Sequence, residues 1–358
     1  MKISRKQKRW LVVCAVLLLL AALCALAALV QSRRLPSQRE YERWRGENEQ
    51  EFAQISCFLP QPSTVRQNDV YAFRYAVLDA VSAADVETKE GVYPFIDAWS
   101  GAGRLTIAGD RGTTQAPVTA VGGAFFEFHP LTLLSGSYLS EDDFSPNRVL
   151  LDRELAWELF GGVELSGMTV EINGVEFVVG GVVEREQDWA SRKAYTGEKG
   201  CFMSFEAYRA LTEKDAVDCY EIVLPEPVRG FAAQLVADKF PHGEGDTVVN
   251  SDRFSYSRLL HLARTLPLRS AHSGGVSYPY WENAARIEED LCAALAALAT
   301  VLAAAPAATA FVWLIRLLTR GKRTLEEDLL PKAKEGVEEA VRVRARRRWE
   351  KKHDEKQR

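Results

Sequence analysis

The chain has 358 residues, 47% of them hydrophobic and 26% charged, which excludes a disordered chain or a fibrous repeat, and six cysteines are too few for a disulfide-built miniprotein. The net charge of −4 conceals a division into three. Five Lys/Arg and no acid precede residue 10, residues 316–358 hold 15 Lys/Arg against 9 Asp/Glu, and the middle carries a large acidic excess.

Leu11 to Val30 is an uncharged run of twenty residues. At about 1.5 Å per residue, a helix of that length spans a bilayer's hydrocarbon core. We expect residues 1–10 to be a cytoplasmic N-terminus and 11–31 the first transmembrane helix. A cleaved signal peptide is the alternative, with Ala25-Leu26-Ala27 as its cleavage site, but the apolar run is longer than such peptides use. Ser37 to Gln54 is polar and reads as a helical stalk leaving the membrane.

Residues 32–289 are long enough for a sizeable core and two subdomains. Ile55–Leu59 reads as a strand and Asn68–Val86 as a helix, with Val70, Phe73, Val77 and Val81 on one face. Four short strands follow at residues 93–99, 104–109, 116–122 and 124–128, separated by glycines and polar turns. A strand at Arg148–Leu151 leads into a helix at Arg153–Phe160. Asn173-Gly174, between the runs 168–172 and 175–183, is the strongest hairpin signal in the chain. Strand 201–205, helix 206–213 and strand 219–225 form a β-α-β pattern. Helix Gly230–Phe240, strand 246–250 and helix Ser255–Leu266 complete the domain. The whole reads as an α+β domain flanked by two transmembrane helices.

The second apolar segment, residues 290–315, is alanine-rich with Pro306 inside it. Proline removes one backbone hydrogen bond, so a kink is expected there. Ala303, Pro306 and Ala307 lie on a small-residue surface that lets another helix approach closely. Basic residues stay cytoplasmic, so the N-terminus and the tail 316–358 should lie inside, and the acidic domain outside, the plasma membrane. In the tail, Ala333, Val337, Val341, Ala345 and Trp349 recur every four residues. Val337, Val341 and Trp349 thus form a weakly apolar ridge among arginines, for a partner ATPase or an anionic lipid surface. A solvated helix that only enforces topology would look the same.

Chemistry was sought and no catalytic constellation found. The five histidines form no H-E-x-x-H or H-x-x-x-H pair, and no nucleophile elbow or Cys/His signature occurs. His242-Gly-Glu-Gly-Asp246 reads as a polar loop rather than a metal site. Ser140-Glu141-Asp142-Asp143 reads as a turn or helix cap. Nothing calls for a cofactor, and the acidic outer charge argues against nucleic acid. Tyr278 to Trp281 suits either the membrane interface or packing against the domain. Cys57, Cys201 and Cys219 would face an oxidising compartment, and Cys201–Cys219 is the candidate disulfide nearest in sequence.

The runs Phe125 to Asp143, Val149 to Gly161 and Gly167 to Val183 resemble the extracytoplasmic core domain of MacB/FtsX-superfamily ABC-transporter permeases. The flanking helices fit too. The resemblance implies a MacB-like core between membrane helices, moved by ATP bound on a separate ATPase subunit. No G-x-x-x-x-G-K-[ST] loop occurs in the chain. Such permeases continue with two further helices where this chain has a charged tail, which implies a second permease-like chain to complete the bundle. The function expected is therefore a permease-like or accessory subunit. A membrane-tethered binding or sensor module independent of ATP is the rival.

Overall fold

The computed structural model describes residues 4–47, 49–86, 93–141, 143, 145–195, 199–266, 276–324 and 334–345. Two compact units divide it: Ala25–Ala297, and Met1–Cys24 together with Leu298–Arg358.

The first unit is built on one ten-stranded sheet. Its strands are β1 Phe52–Phe58, β2 Ile96–Gly109, β3 Gly112–Gly123, β4 Thr132–Gly136, β5 Arg148–Asp152, β6 Thr169–Ile172, β7 Val175–Glu184, β8 Cys201–Ser204, β9 Cys219–Pro225 and β10 Asp246–Val249. The order is β10-β1-β9-β2-β3-β8-β5-β7-β4, with β6 pairing both β2 and β7. The two subdomains expected from length thus share a continuous sheet. Its pairs are antiparallel except β3–β8 and β5–β7.

Helices α1 Arg5–Gln31, α2 Glu40–Arg45, α3 Gln67–Ala83, α4 Phe125–Phe128, α5 Arg153–Leu159, α6 Trp189–Ala194, α7 Phe205–Thr212, α8 Phe231–Lys239, α9 Tyr256–Ala263 and α10 Tyr280–Thr324 complete the described fold, with α11 over 334–345. Strand alternation gives the sheet two apolar faces. On one, Ile55, Cys57, Tyr220, Ile222 and Leu224 pack against Val70, Phe73, Leu155, Phe205 and Val236 of α3, α5, α7 and α8. On the other, Phe58, Cys219 and Val223 meet Phe125, Phe128 and Trp281.

The Asn173-Gly174 hairpin forms as read. Ile172 pairs with Val175, and both turn residues have positive φ, as a type I′ turn requires. Four expectations need correction. Residues 96–109 form one fourteen-residue strand, with no break at Ser100–Gly103. A Cβ at Gly103 would stand 2.3 Å from the Tyr208 hydroxyl, and one at Gly101 3.2 Å from Phe205, so these glycines admit α7 rather than turn the chain. Residues 125–128 make one helical turn instead of a strand. The stalk is a 3-10 turn and the short α2, with Ser37, Gln38 and Glu40 buried against the domain. Strand 201–204 and strand 219–225 are not neighbours, because β2 and β3 lie between them.

That last point also corrects the candidate disulfide. Three strand spacings, roughly 14 Å, separate Cys201 from Cys219, beyond the reach of a bond that needs Cα atoms within about 7 Å. Both are free and buried.

In the second unit, Cys14, Leu17, Ala21 and Cys24 of α1 are the sheltered positions, at alternating three- and four-residue steps. On α10 the sheltered positions are Ala299, Leu302, Ala303, Pro306 and Thr309 among others. Trp10 Nε1 donates to Thr309 Oγ1 at 3.1 Å, and the Cys14 thiol approaches the same oxygen at 3.9 Å. The helix runs on through Pro306.

Candidate functional site: a buried ionic junction at the start of α10

The second face of the sheet carries an unusual polar line. Gln54 and Ser56 on β1, and Glu221 on β9, point to that face by strand alternation, and all three are buried. Ser56 Oγ donates to Glu221 Oε1 at 2.8 Å, and His129 Nε2 meets Glu221 Oε2 at 2.5 Å. Asn250 Nδ2 donates to Ser56 Oγ at 2.8 Å. The His129 ring lies 4.6 Å from the Phe125 ring and 4.4 Å from that of Trp281 on α10.

Asn250 begins a 3-10 turn that ends at Asp252, and Arg253 follows it. Arg253 is 1% exposed, which only a full set of acceptors makes tolerable. Its Nη1 donates to Glu282 Oε2 at 2.8 Å and to Gln38 Oε1 at 2.7 Å. Its Nη2 donates to Glu282 Oε1 at 2.5 Å, and its Nε to Glu289 Oε2 at 3.3 Å. Burial opposes the guanidinium charge, but Glu282 and Glu289 outweigh it and hold the group above its ordinary pKa. Glu282 and Glu289 stand seven residues apart, two helical turns, so both face the same side of α10.

A second arginine extends the cluster. Arg286 Nε meets Glu282 Oε1 and its Nη2 meets Asp246 Oδ2, each at 3.0 Å. Its guanidinium lies 3.5 Å over the Tyr278 ring, while the Tyr278 hydroxyl donates to Asp246 at 2.9 Å. Tyr278 and Trp281 therefore pack against the domain, the alternative to an interfacial belt.

The segment after α1 enters the same network. Gln38 takes the Arg253 hydrogen bond, and Gln54 Nε2 donates to the Ser37 carbonyl at 2.7 Å. Gln54 Oε1 accepts from the Glu40 backbone N–H at 2.9 Å. Burial pushes the Glu40 carboxyl up to about 7, against the pull of its ion-pair partner Arg43. One unbroken set of polar contacts thus joins the sheet, the segment that follows α1 and the start of α10. Its contacts fix three elements in one arrangement.

The residues singled out from sequence lie elsewhere. Within the single chain Pro306 is buried, Ala303 half-buried and Ala307 exposed. Val337 and Val341 are exposed on α11, and Trp349 lies outside the described residues. Asp143 closes a turn on Ser140: its carboxylate accepts from the Ser140 backbone N–H, its own N–H donates to the Ser140 carbonyl, and it also holds Arg148. His242 Nδ1 meets the Phe240 carbonyl at 2.9 Å in a loop. Among the described residues no group of three or more His, Cys, Asp or Glu could hold a metal ion. Arg253 went unread because a lone arginine carries no motif. The seven-residue spacing of Glu282 and Glu289 is the signal the sequence offers.

An open cleft of about 900 Å³ lies at the ends of β5 and β7, lined by Asp152, Trp157, Glu158, Glu184, Arg185 and Lys199 among others. Its cations are spoken for, with Arg153 on Glu184, Arg185 on Asp152 and Lys199 on Glu158.

Residues 11–239 match the family model described as a MacB-like periplasmic core domain. A search of curated proteins returns no match. Among solved structures, the periplasmic region of MacB from Actinobacillus actinomycetemcomitans is similar at 15% identity and a TM-score of 0.41, over 55% of this chain and 89% of that one. The extracellular domain of the noncanonic ABC-type transporter YknZ from Gram-positive bacteria gives 13% and 0.38, over 56% and 99%. A domain of a putative permease protein from Porphyromonas gingivalis gives 13% and 0.33, over 60% and 90%.

Proposed function

The chain belongs to the family of the MacB-like periplasmic core domain, a membrane protein of ABC-transporter permease type, and on that premise we propose that it relays motion between its membrane helices and its outer domain. The motion would be driven by ATP hydrolysed on a separate subunit, since the chain has no phosphate-cradling loop of its own. A second permease-like chain would complete the helix bundle. Both termini would be cytoplasmic, because both basic clusters flank the apolar segments on the same side. The domain bounds 1–10, 11–31, 32–289, 290–315 and 316–358 follow from that topology.

The observation that supports the relay is the Arg253 junction. An arginine bonded at once to Gln38, Glu282 and Glu289 ties the segment after α1 to the start of α10. Movement of either helix end would then have to carry the β1–β9–β10 part of the sheet with it. Loosely packed loops in that position would absorb the movement instead.

The test is extraction of the full chain from its native membrane in mild detergent, with capture by a C-terminal tag. A stoichiometric nucleotide-binding subunit, lost when residues 332–358 are deleted, is the expected result. Capture of the chain alone under all detergent and salt conditions overturns it. The membrane-tethered binding module is the second reading, favoured by the open cleft beside Trp157. Ligand screening of the full chain would then follow.

A further inference from the structure

Beyond the relay, one acid on α10 has no role in the Arg253 cluster. Glu288 neighbours Glu289 in sequence, but the 100° step of the helix turns it to another side. There it shares a face with Ala284 and Ala285, which pack against Leu35, just after α1, and Ala190 of α6. Glu288 is 0% exposed, and neither carboxyl oxygen has a hydrogen-bond partner.

A carboxylate taken fully out of water with no donor is among the costliest groups a protein can hold, and such a group takes up a proton instead. Among the described residues two charges act on Glu288. Asp188, which caps α6 by accepting from the Ala190 and Ser191 N–H groups, is of like sign and disfavours ionisation. Arg34, exposed in the segment after α1, acts in the opposite sense and makes no ion pair with Glu288. On its own helix, Glu289 is engaged by Arg253 and Arg258. Burial is the largest influence and, with Asp188, holds the carboxyl above its ordinary 4.5.

We propose that Glu288 is a proton-binding site, held neutral by its packing, whose proton leaves only when the start of α10 parts from Leu35 and α6. Release breaks the carboxyl O–H bond and hands the proton to water, which must first reach the site. The carboxylate left behind then opposes re-docking of an uncharged alanine face. The sign follows from the raised value. The neutral group's contribution to the docked arrangement is complete below the ordinary 4.5 and is lost as pH rises through the higher docked value.

The experiment uses the full chain in lipid nanodiscs. Infrared difference spectra between acid pH, below the ordinary 4.5, and alkaline pH, and melting temperatures across the same range, are recorded for wild type, Glu288→Gln, Glu288→Met and Arg34→Gln. The expected result is a neutral-carboxyl C=O band in wild type that both Glu288 variants lose. Glu288→Gln then melts with wild type below the ordinary 4.5 and loses part of the destabilisation that wild type shows as pH rises, and Arg34→Gln leaves melting unchanged. The proposal is overturned if the band survives in both Glu288 variants. It is also overturned if Arg34→Gln and Glu288→Gln lower the melting temperature alike, the behaviour of an ionised pair. Should Glu288→Gln fail to fold, Glu288→Met and Arg34→Gln still decide between the two.

Discussion

The two ends of α10 are held by opposite physics. Near its start Trp281, Glu282, Glu288, Glu289 and Cys292 are buried, and Glu282 and Glu289 are locked by directional bonds to Arg253, with Arg286 on Glu282 as well. Past Leu298 most large side chains, from Val301 to Leu318, are exposed, and the sheltered surface is made of Ala299, Ala303, Pro306 and Thr309. A buried ion cluster tolerates one geometry, because any shift leaves a charge unpaired. A small-residue surface in lipid has no such penalty, since a lipid tail or another helix can replace each contact at little cost. The same helix is therefore specified at one end and adaptable at the other.

Breaking the specified end should have the largest effect. Arg253→Ala leaves Glu282 and Glu289 buried without their partner, a loss of about 3–5 kcal/mol read as a lower melting temperature. Combining Arg253→Met with Glu282→Gln and Glu289→Gln should recover much of it, because Arg286 keeps Asp246, Arg258 reaches solvent, and no fully buried charge is left unpaired. Trp281→Ala removes the ring between His129, Phe125 and Tyr280 and should cost a similar ~3–5 kcal/mol. If both were mild, the start of α10 would not be the rigid end.

The adaptable end should respond less and in a position-dependent way. Ala303→Leu overfills a half-buried site and should weaken the α1–α10 pairing by about 1–3 kcal/mol. Ala307→Leu points outward and should leave the isolated chain unchanged. Should Ala307→Leu lower the yield of a co-purified complex, that face is where another helix sits. Equal behaviour of the two variants in both measurements would erase the distinction between them. The smallest effect expected is a pH dependence at Glu40. Its carboxyl, raised to about 7 by burial, contributes stability that is complete below 4.5 and lost as pH rises through about 7. Glu40→Gln should flatten melting temperature against pH by about 1 kcal/mol over that window, discounted for the screening at its half-exposed partner Arg43.

Much of the fold was legible because its signals are local. Hydrophobic runs and flanking charges announced the membrane helices, and Asn173-Gly174 announced its hairpin. What misled was glycine. In the run Ser100 to Gly103 it reads as a turn, yet its purpose is to let Phe205 and Tyr208 approach the strand, a fact of tertiary packing. The junction was harder still. Gln54, Ser56 and Glu221 sit at alternate strand positions whose polarity looks like solvent exposure until the segment 37–40, Asn250 and His129 come to lie against them. Nothing near Arg253 in sequence points to residues 29 and 215 positions away. Cys201 and Cys219 fail as a pair for the same reason: short separation along the chain is not short separation across a sheet.

The burial of the outer thiols has a practical consequence. Cys57, Cys201 and Cys219 are buried on strands β1, β8 and β9, and burial pushes Cys57 up to about 12 and Cys219 well above its usual value. Thiolate is the reactive form, so in the folded chain these residues are nearly silent to alkylating reagents. The unmodified protein is thus its own dark background for labelling. A cysteine introduced at the exposed Val228 should be the sole outer position to take a membrane-impermeant maleimide in intact cells. One at Val337 should take it only after the membrane is opened, and the reverse pattern would invert the topology.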